Sequence, residues 1–319
     1  MSNVSVVQEF VLLGFSHLHE FQILLFAFIL LIYVLTVLGN LAIITLTCLD
    51  SRLHSPMYFF LCNSSLMEML VTSTVVPRML ADLLSSHKTM TLAECLTQSF
   101  FYFSLGSINF LILTVMAFDR YVAICRPLHY ATIMSGPVCV KLVLVCWVVG
   151  FLSIISPTLQ KTQLWFCGPN VIDHYFCDSA PLLKLSCSDT HHIERMDFFL
   201  SLLFVLATML LIVVSYVLIV AAVLHIPSSS GRQKAFSTCA SHLTVVVLGY
   251  GSTIFIYVRP GKGHSTQLNK VVALMTAVVT PFLNPFILTF RNEKVKEVIE
   301  GMSTRILLRD PAARGAPAK

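Results

Sequence analysis

An aspartate followed directly by an arginine is the pair in this chain whose types and spacing could most readily do chemistry. Asp119 and Arg120 close a long apolar segment, and Tyr121 follows them. An unpaired charge at the edge of a bilayer is costly, so a carboxylate and a guanidinium placed there are expected to form an ion pair. The simpler interpretation is that the two charges only end a helix and reach toward the lipid headgroups. The pair alone does not separate these interpretations.

Three polar residues lie deep inside apolar segments, where polar side chains are functional candidates. Glu68 is the sole carboxylate deep in any predicted span, and Asn40 and Asn284 are amides in two other spans. Pro285 follows Asn284, removes a helical hydrogen bond and predicts a kink, although many membrane helices kink without a function. We expect Glu68 to be either a protonated, hydrogen-bonded acid or a ligand of a sodium ion, and we favour the protonated acid.

Four of the ten cysteines lie in predicted loops on one face of the chain: Cys95, Cys167, Cys177 and Cys187. An even number of cysteines in an oxidising compartment predicts two disulfides, and the sequence alone allows three pairings. A metal site is the alternative, because the same region holds His174, His191 and His192. No spacing among these residues matches a zinc signature, so we expect no metal.

The composition indicates a membrane protein with several spans. Hydrophobic residues make up 56% of the 319 residues and charged residues 12%, whereas a soluble domain carries about 25% charged residues. A hydrocarbon layer of ~30 Å needs about 20 mainly apolar residues per helix. The predicted spans are residues 22–48, 57–80, 96–119, 138–159, 197–225, 239–258 and 270–290. Six spans would remain only if the second or the seventh were re-entrant or interfacial.

The positions of lysine and arginine predict an extracellular N-terminus and a cytoplasmic C-terminus. The chain then divides into an extracellular segment (1–21), a membrane domain (22–290) and a cytoplasmic tail (291–319) that could begin with a short interfacial helix. Asn3 opens a glycosylation acceptor, which is meaningful only on the extracellular side. The net charge of +5 comes from residues at membrane boundaries. The expected partner of these charges is therefore the anionic inner leaflet, not nucleic acid.

Several stretches are similar to one known family. The runs Met116–Tyr130 and Lys234–Leu243 resemble the corresponding parts of the third and sixth helices of odorant (olfactory) receptors, which are rhodopsin-like G-protein-coupled receptors. Three further runs resemble the same family: Leu53–Leu61, Pro77–Leu80 and Pro281–Pro285. The likeness extends from Phe10 to about Val298. It implies an all-α bundle of seven transmembrane helices in the plasma membrane, with no enzymatic activity.

The resemblance also implies a switch at the cytoplasmic end. Arg120 would be held by Asp119 in the inactive state and would turn to a stimulatory G protein in the active state, supported by Tyr216 and raising cyclic AMP. The residues implied in coupling and activation are Asp119, Arg120, Tyr121, Tyr216, His242, Asn284 and Pro285. The resemblance also implies that Asn40, Glu68 and Asn284 line one buried polar core. Two positions depart from the family pattern. Leu288 replaces a tyrosine that usually follows Asn-Pro, which puts the efficiency of coupling in question, and Glu68 replaces a more common aspartate.

On the extracellular side the resemblance selects the disulfides Cys95–Cys177 and Cys167–Cys187. The first bond would hold the loop of residues 161–194 over the bundle, above a ligand pocket in its outer half. Helical spacing and the family together predict the pocket residues Ser99, Tyr102, Phe103, Gly106, Ser107, Leu200, Phe204, Tyr250, Thr253, Ile254, Tyr257 and Leu274. This apolar, aromatic lining with a few hydroxyls suits small, mostly neutral volatile molecules. Asp197 lies at the mouth and is expected to be solvated.

Three other functions are alternatives to an odorant receptor. A rhodopsin-like receptor for another small ligand is the nearest, and the inner motifs weigh against it. A transporter would show internal repeats with paired broken helices, and the halves of this chain show no such repeat. A membrane-embedded enzyme would need paired carboxylates, a histidine-rich metal cluster or a nucleophile motif at membrane depth, and the sequence offers none of them.

Overall fold

The structure is a computed structural model that describes residue 7 and residues 9–85, 88–225, 228–258, 266–290 and 295–299. Seven helices in these ranges are long and apolar enough to cross a membrane, which confirms the predicted number of spans. They are α1 (Gln22–Leu49), α2 (Pro56–Leu84), α3 (Leu92–Cys125), α4 (Gly136–Lys161), α5 (His191–Leu224), α6 (Ser229–Thr253) and α7. The helix α7 comprises Thr266–Leu274, a π-helical turn Met275–Val279 and Thr280–Phe290, and a second π-helical turn, Ile254–Val258, continues α6.

Local sequence sets where several of these helices begin. The helix α3 starts with a capping box, in which the Thr91 side chain accepts a hydrogen bond from the Glu94 amide (3.2 Å) and the Glu94 carboxylate accepts one from the Thr91 amide (2.8 Å). Pro56 and Pro137 lie in the first turns of α2 and α4, where a missing N–H costs nothing. The Ser228 side chain caps α6 by accepting from the Gly231 amide at 3.1 Å.

The helix α3 runs through the middle of the bundle and packs on α2, α4 and α5. Gly150 lets α4 approach α3 closely, because a Cβ added at this position would collide with the Ile108 side chain of α3. Large apolar side chains on the outward faces of α1, α4 and α5 stay exposed, such as Ile23 (79%), Leu144 (57%) and Leu203 (63%). Such faces match a hydrocarbon environment, as expected for helices that span a membrane.

A small β-sheet lies beside the all-α bundle, on the face that carries the N-terminal segment. Following the predicted orientation, we call this face outer and the opposite face inner. The strands of this sheet are β1 (Glu9–Leu12), β2 (Thr89–Thr91) and β3 (Val171–Ile172). The strand β1 lies in the middle, antiparallel to β2 and parallel to β3. Phe10 and Leu12 are 0% and 1% exposed. Their alternation with Glu9 and Val11 has the period of a half-buried strand, although we predicted only an extracellular segment here.

The described part of the C-terminal tail is one helical turn, residues 295–299. Val295 and Val298 are 3% and 1% exposed and pack with Ile43, Leu53 and Tyr58 at the inner ends of α1 and α2. This apolar contact places the turn against the bundle. The turn lies at the beginning of the tail, where we predicted a short interfacial helix. The predicted glycosylation acceptor at Asn3 lies outside the described residues.

Candidate functional site

The inner end of α3 holds a buried ion pair. The Asp119 side chain is 1% exposed, and its Oδ2 accepts hydrogen bonds from Nε (3.1 Å) and Nη2 of Arg120. The other oxygen, Oδ1, accepts from the Tyr130 hydroxyl at 2.7 Å. Tyr130 opens a short helix, Tyr130–Ile133, in the loop that follows α3. Both oxygens of Asp119 are therefore engaged, one by its neighbour on α3 and one by the inner loop. Tyr121 lies beside the pair and is partly buried.

A second polar contact joins α5 to α6 next to this pair. The Tyr216 hydroxyl lies 2.8 Å from Nδ1 of His242, and the two rings stack with centroids 5.7 Å apart. His242 Nε2 lies 3.1 Å from the carbonyl of Leu113 on α3. A carbonyl only accepts, so Nε2 carries the proton, and in a neutral imidazole Nδ1 accepts from the tyrosine. The tyrosine that we expected to support Arg120 is thus held by His242, and three helices are linked.

Glu68 lies in a polar cluster at the centre of the bundle. Its Oε1 accepts hydrogen bonds from Nδ2 of Asn109 on α3 (3.1 Å) and from Nδ2 of Asn284 on α7 (2.5 Å). Ser64 donates to Oδ1 of Asn109 at 3.4 Å. The structure therefore brings Glu68 and Asn284 together, as the family resemblance implied, and adds Asn109. The carboxyl group joins α2, α3 and α7.

Asn40 compensates for the proline in α7. Pro285 has no N–H, so the carbonyl of Pro281, one turn earlier, loses its helical hydrogen bond. Nδ2 of Asn40 donates to this carbonyl at 3.3 Å and to the Thr36 carbonyl at 2.9 Å. Gly39 makes the approach feasible, since a Cβ there would lie 3.4 Å from Cβ of Pro285. The proline-containing turn of α7 is thus fastened to α1. Leu288 follows in α7, with its side chain outside the described part.

Two disulfides fix the second outer loop, residues 162–190. Cys95 bonds Cys177 with Cα atoms 5.2 Å apart, and Cys167 bonds Cys187 with Cα atoms 6.0 Å apart. These are the pairs that the family resemblance selected. Gln98 of α3 helps to hold Cys177 in place. Its Oε1 accepts from the Cys177 amide (2.9 Å), and its Nε2 donates to the Thr74 carbonyl of α2 (3.0 Å). The middle of the loop is thereby held against α2 and α3.

The residues just before Cys177 form an aromatic roof over the bundle. Phe176 is fully buried and its ring centroid lies 4.7 Å from that of Tyr102 on α3. Tyr175 is 1% exposed and stacks on Phe15 of the N-terminal segment at 5.5 Å. His174 is also buried, and burial together with the nearby ammonium of Lys270 lowers the pKa of its imidazole to about 3. The histidine is therefore neutral at physiological pH.

The predicted pocket residues occupy four helices below this roof. Tyr102, Phe103, Tyr250, Ile254 and Leu274 lie in or against one apolar cluster of the bundle. Ser99 and Thr253 are buried, Ser107, Leu200 and Phe204 are partly buried, and the Tyr257 side chain is outside the described part. Gly106 is partly buried, yet a Cβ added to it would meet no atom within 4 Å of it. Open space therefore lies beside this point of α3.

The predicted solvation of Asp197 is wrong. Its Oδ2 accepts from Nζ of Lys161 (2.9 Å) and from the Ser179 hydroxyl (2.5 Å). Lys161 has a side chain only 7% exposed, so its charge needs this partner. The contact ties α4 to α5 and to the short helix Ser179–Leu183 of the second outer loop, instead of serving a charged ligand.

Comparison with known proteins assigns the family. A sequence model described as olfactory receptor matches residues 29–308. Olfactory receptor 6J1 of Homo sapiens is 51% identical over 302 residues, which are 95% of this chain and 87% of that protein. The chain belongs to the olfactory receptor family. Olfactory receptor 6E1 of Mus musculus is 51% identical over 299 residues, 93% of this chain and 96% of that protein, and 6S1 of Homo sapiens is 49% identical over 300 residues, 94% and 91%.

Family membership and the seven helices establish an odorant-sensing G-protein-coupled receptor that spans the membrane several times and is not an enzyme. The transporter and enzyme hypotheses are therefore wrong. In this olfactory receptor three functional residues were not predicted from the sequence: Asn109, Tyr130 and Phe176. Asn109 is a polar residue in an apolar span, and Phe176 ends an aromatic run before a cysteine, so both carried a local signal. Tyr130 lay inside the motif itself, without a role assigned to it.

Proposed function

We propose that this receptor binds small, mostly neutral volatile molecules in the outer half of the bundle and activates a stimulatory G protein at the inner face, raising cyclic AMP. The observation that carries the proposal is the closed arrangement at the inner end of α3. Arg120 is turned back onto a buried carboxylate, and Tyr216 is held by His242 instead of by Arg120. A receptor needs such a bistable element for a ligand on one side to change contacts on the other.

The inner loop supports a docking role for this end of the bundle. Leu128 is 94% exposed and lies two residues from Tyr130, whose hydroxyl binds Asp119. An exposed leucine two residues after an exposed arginine, Arg126, fits a partner protein with an apolar, acidic-rimmed groove. A partner that engages Leu128 would pull on Tyr130 and weaken its bond to Asp119. Arg120 would then be free to exchange Asp119 for the G protein.

The residue types predicted for the outer half support this ligand class. Five of the twelve predicted pocket residues are aromatic, and Ser99, Ser107 and Thr253 offer hydroxyls as candidate hydrogen-bonding groups. No carboxylate is among the predicted pocket residues, and Asp197 is already paired with Lys161. An amine would therefore lack a counter-ion, while a neutral molecule with one polar group would be satisfied.

The experiment is to express the chain with an olfactory-type stimulatory G protein and to record cyclic AMP while a panel of neutral volatiles and amines is applied. We expect responses to neutral members that disappear when the G protein is omitted. Responses confined to amines would contradict the ligand class. A ligand-driven ion current without any G protein would contradict the receptor mechanism.

The Gly106→Val variant tests the position of the pocket. The added side chain fills the open space beside α3, so we expect the half-maximal concentration of any active volatile to rise by about tenfold or more, as expected when one favourable apolar contact becomes a clash. Gly251→Val is the matched control, because Gly251 is an exposed residue of α6 where an added Cβ also meets no atom within 4 Å. Equal effects of the two variants in cyclic AMP dose–response curves would place the ligand elsewhere.

We also propose that Glu68 is a protonated acid and that no cofactor is needed; a sodium ion is the alternative. Two amide donors meet at Oε1, which leaves Oε2 to carry a proton. The Oδ1 atoms of Asn40 and Asn284 have no hydrogen-bond partner among the described residues, and either a proton donor or a cation would suit them.

Replacing Glu68 with glutamine separates the two possibilities. Glutamine keeps one acceptor oxygen and adds donors, so it imitates the protonated acid, and we expect half-maximal concentrations to change by less than about threefold. Exchange of sodium for choline in the medium, with membranes permeabilised, is expected to leave the parent response unchanged. A parent response that sodium suppresses, and that Glu68→Gln makes insensitive to sodium, would establish the cation instead.

A further inference from the structure

A buried lysine joins three separate parts of the outer face. The side chain of Lys270, in the first turns of α7, is 1% exposed. Its Nζ donates to the carbonyl oxygen of Gly14 at 3.0 Å and to Oδ1 of Asp173 at 2.5 Å. Gly14 belongs to the N-terminal segment and Asp173 to the second outer loop. A buried ammonium is costly without partners, so these two contacts fix the position of both segments relative to α7.

The backbone of the N-terminal segment is shaped for this contact. Gly14 has φ of +53°, a conformation that favours glycine, and its amide donates to the His174 carbonyl at 3.0 Å. A Cβ added there would lie 3.8 Å from Cβ of Tyr175, so the restriction is conformational and not steric. The carbonyl of Gly14 can thereby face Lys270 while its amide faces the loop.

Lys270 holds the loop that forms the aromatic roof, His174–Phe176, and the N-terminal segment that packs on this roof. Phe15, next to Gly14, stacks on Tyr175, and the neighbouring Phe176 packs on Tyr102 of α3. The sheet and the Cys95–Cys177 disulfide fasten this roof to α3 and to β2. Among the described contacts, Lys270 provides the charged tie to α7. Loss of that tie would leave the rest of the roof attached and free one edge.

We propose that Lys270 is a latch, a positioning residue that holds the N-terminal segment and the second outer loop on α7 and so sets how fast small molecules pass between the outer solution and the pocket. The inference rests on the proposed function only in placing the ligand beneath this loop. The latch acts on access and therefore on rates of ligand entry and exit. It does not touch the ligand.

The test measures access without any odorant. A cysteine introduced by Gly106→Cys is exposed to a membrane-impermeant, biotin-carrying methanethiosulfonate applied outside intact cells, and the rate of labelling is recorded on the purified full-length receptor. The parent without Gly106→Cys gives the background from native thiols. We expect Lys270→Met to raise the labelling rate about tenfold, the effect of losing a hydrogen bond to a charged group. Asp173→Asn should raise it by at least about threefold, because one of the two acceptors of Lys270 weakens.

Two controls separate a latch from general loosening. Lys161→Met removes another buried outer lysine that is paired with an aspartate, but this lysine joins α4 to α5 and does not contact α7. Ser179 of the second outer loop donates to the same aspartate and keeps that hydrogen bond in the variant. We expect Lys161→Met to change the labelling rate at Gly106→Cys by at most about twofold, because the contact between the roof and α7 is not affected. Labelling at Glu20→Cys, an exposed site of the N-terminal segment, should be equal in all variants.

A double-mutant cycle completes the test. Because Lys270 and Asp173 act through one contact, Lys270→Met with Asp173→Asn should label no faster than Lys270→Met alone. Equal labelling in the parent and the Lys270→Met variant, or an equal gain in Lys161→Met, would overturn the latch. If Lys270→Met does not reach the cell surface, Asp173→Asn decides alone, since Asp173 is 45% exposed. A receptor silent to all volatiles but with latch-dependent labelling would refute the proposed function and keep the latch.

Discussion

Replacing Arg120 with alanine is expected to lower the maximal cyclic AMP response by at least about tenfold, because a charge-assisted contact to the G protein is lost. Arg120 makes its ion pair with its neighbour on α3, so this pair joins no second helix to α3. Asp119 keeps the Tyr130 hydroxyl as a partner, which limits the cost of the uncompensated carboxylate. The measurement is the ligand-driven cyclic AMP response, normalised to receptor at the cell surface.

Arg52 supplies the matched control for this variant. It is an arginine at the same inner face that is paired with an aspartate, Asp50, at 2.8 Å, but its side chain is 53% exposed. Solvent screens such an exposed pair, so Arg52→Ala is expected to leave the response within about twofold. An undiminished response of Arg120→Ala, or an equal loss in both variants, would remove Arg120 from the proposed switch.

Removing the Cys95–Cys177 disulfide is expected to have the second large effect. In the chain-entropy description a bond with a sequence separation of 82 stabilises the fold by about 4.5 kcal/mol, and one with a separation of 20 by about 3.3 kcal/mol. Cys177 is also fully buried, so Cys177→Ala adds a small cavity. We expect Cys95→Ala/Cys177→Ala to abolish nearly all surface receptor, measured with an N-terminal epitope tag on intact cells.

The control is the Cys167→Ala/Cys187→Ala variant. This bond closes a short part of the loop that does not reach α3, so we expect a substantial fraction of the receptor to remain at the surface. Thermal unfolding of the two variants in detergent should rank in the same order. If surface receptor falls equally in both variants, or falls further in Cys167→Ala/Cys187→Ala, the roof is not held mainly by the Cys95–Cys177 disulfide.

Local patterns predicted the parts of the fold that depend on hydropathy and on motifs. The seven spans follow from runs of apolar residues, which need no partner to be recognised. The approach of Glu68 and Asn284 was implied by the family resemblance, and a lone carboxylate in a span needs a polar neighbour. The identity of that neighbour depends on helix rotation. Asn109 meets Glu68 only because α3 turns this side of its surface toward α2.

The same distinction holds at the outer face. The alternation in Glu9–Leu12 was a signal for a strand, but a strand of four residues needs neighbours, and these lie at Thr89–Thr91 and Val171–Ile172. Hydropathy placed Asp197 at a solvated mouth, and the tertiary structure paired it with Lys161 instead. A charged residue near a predicted boundary has no local pattern that states whether it meets water or an opposite charge.

The family, the number of spans and the residues available for a switch can all be recognised in contiguous runs of the chain. Which polar groups pair with one another depends on the folded bundle. Asn40 and the Pro281 carbonyl are 241 residues apart, and Lys270 and Gly14 are 256 residues apart. Such pairs form because buried polar groups must find a partner where the helices happen to bring one. That choice depends on packing angles and rotations, which no local stretch encodes.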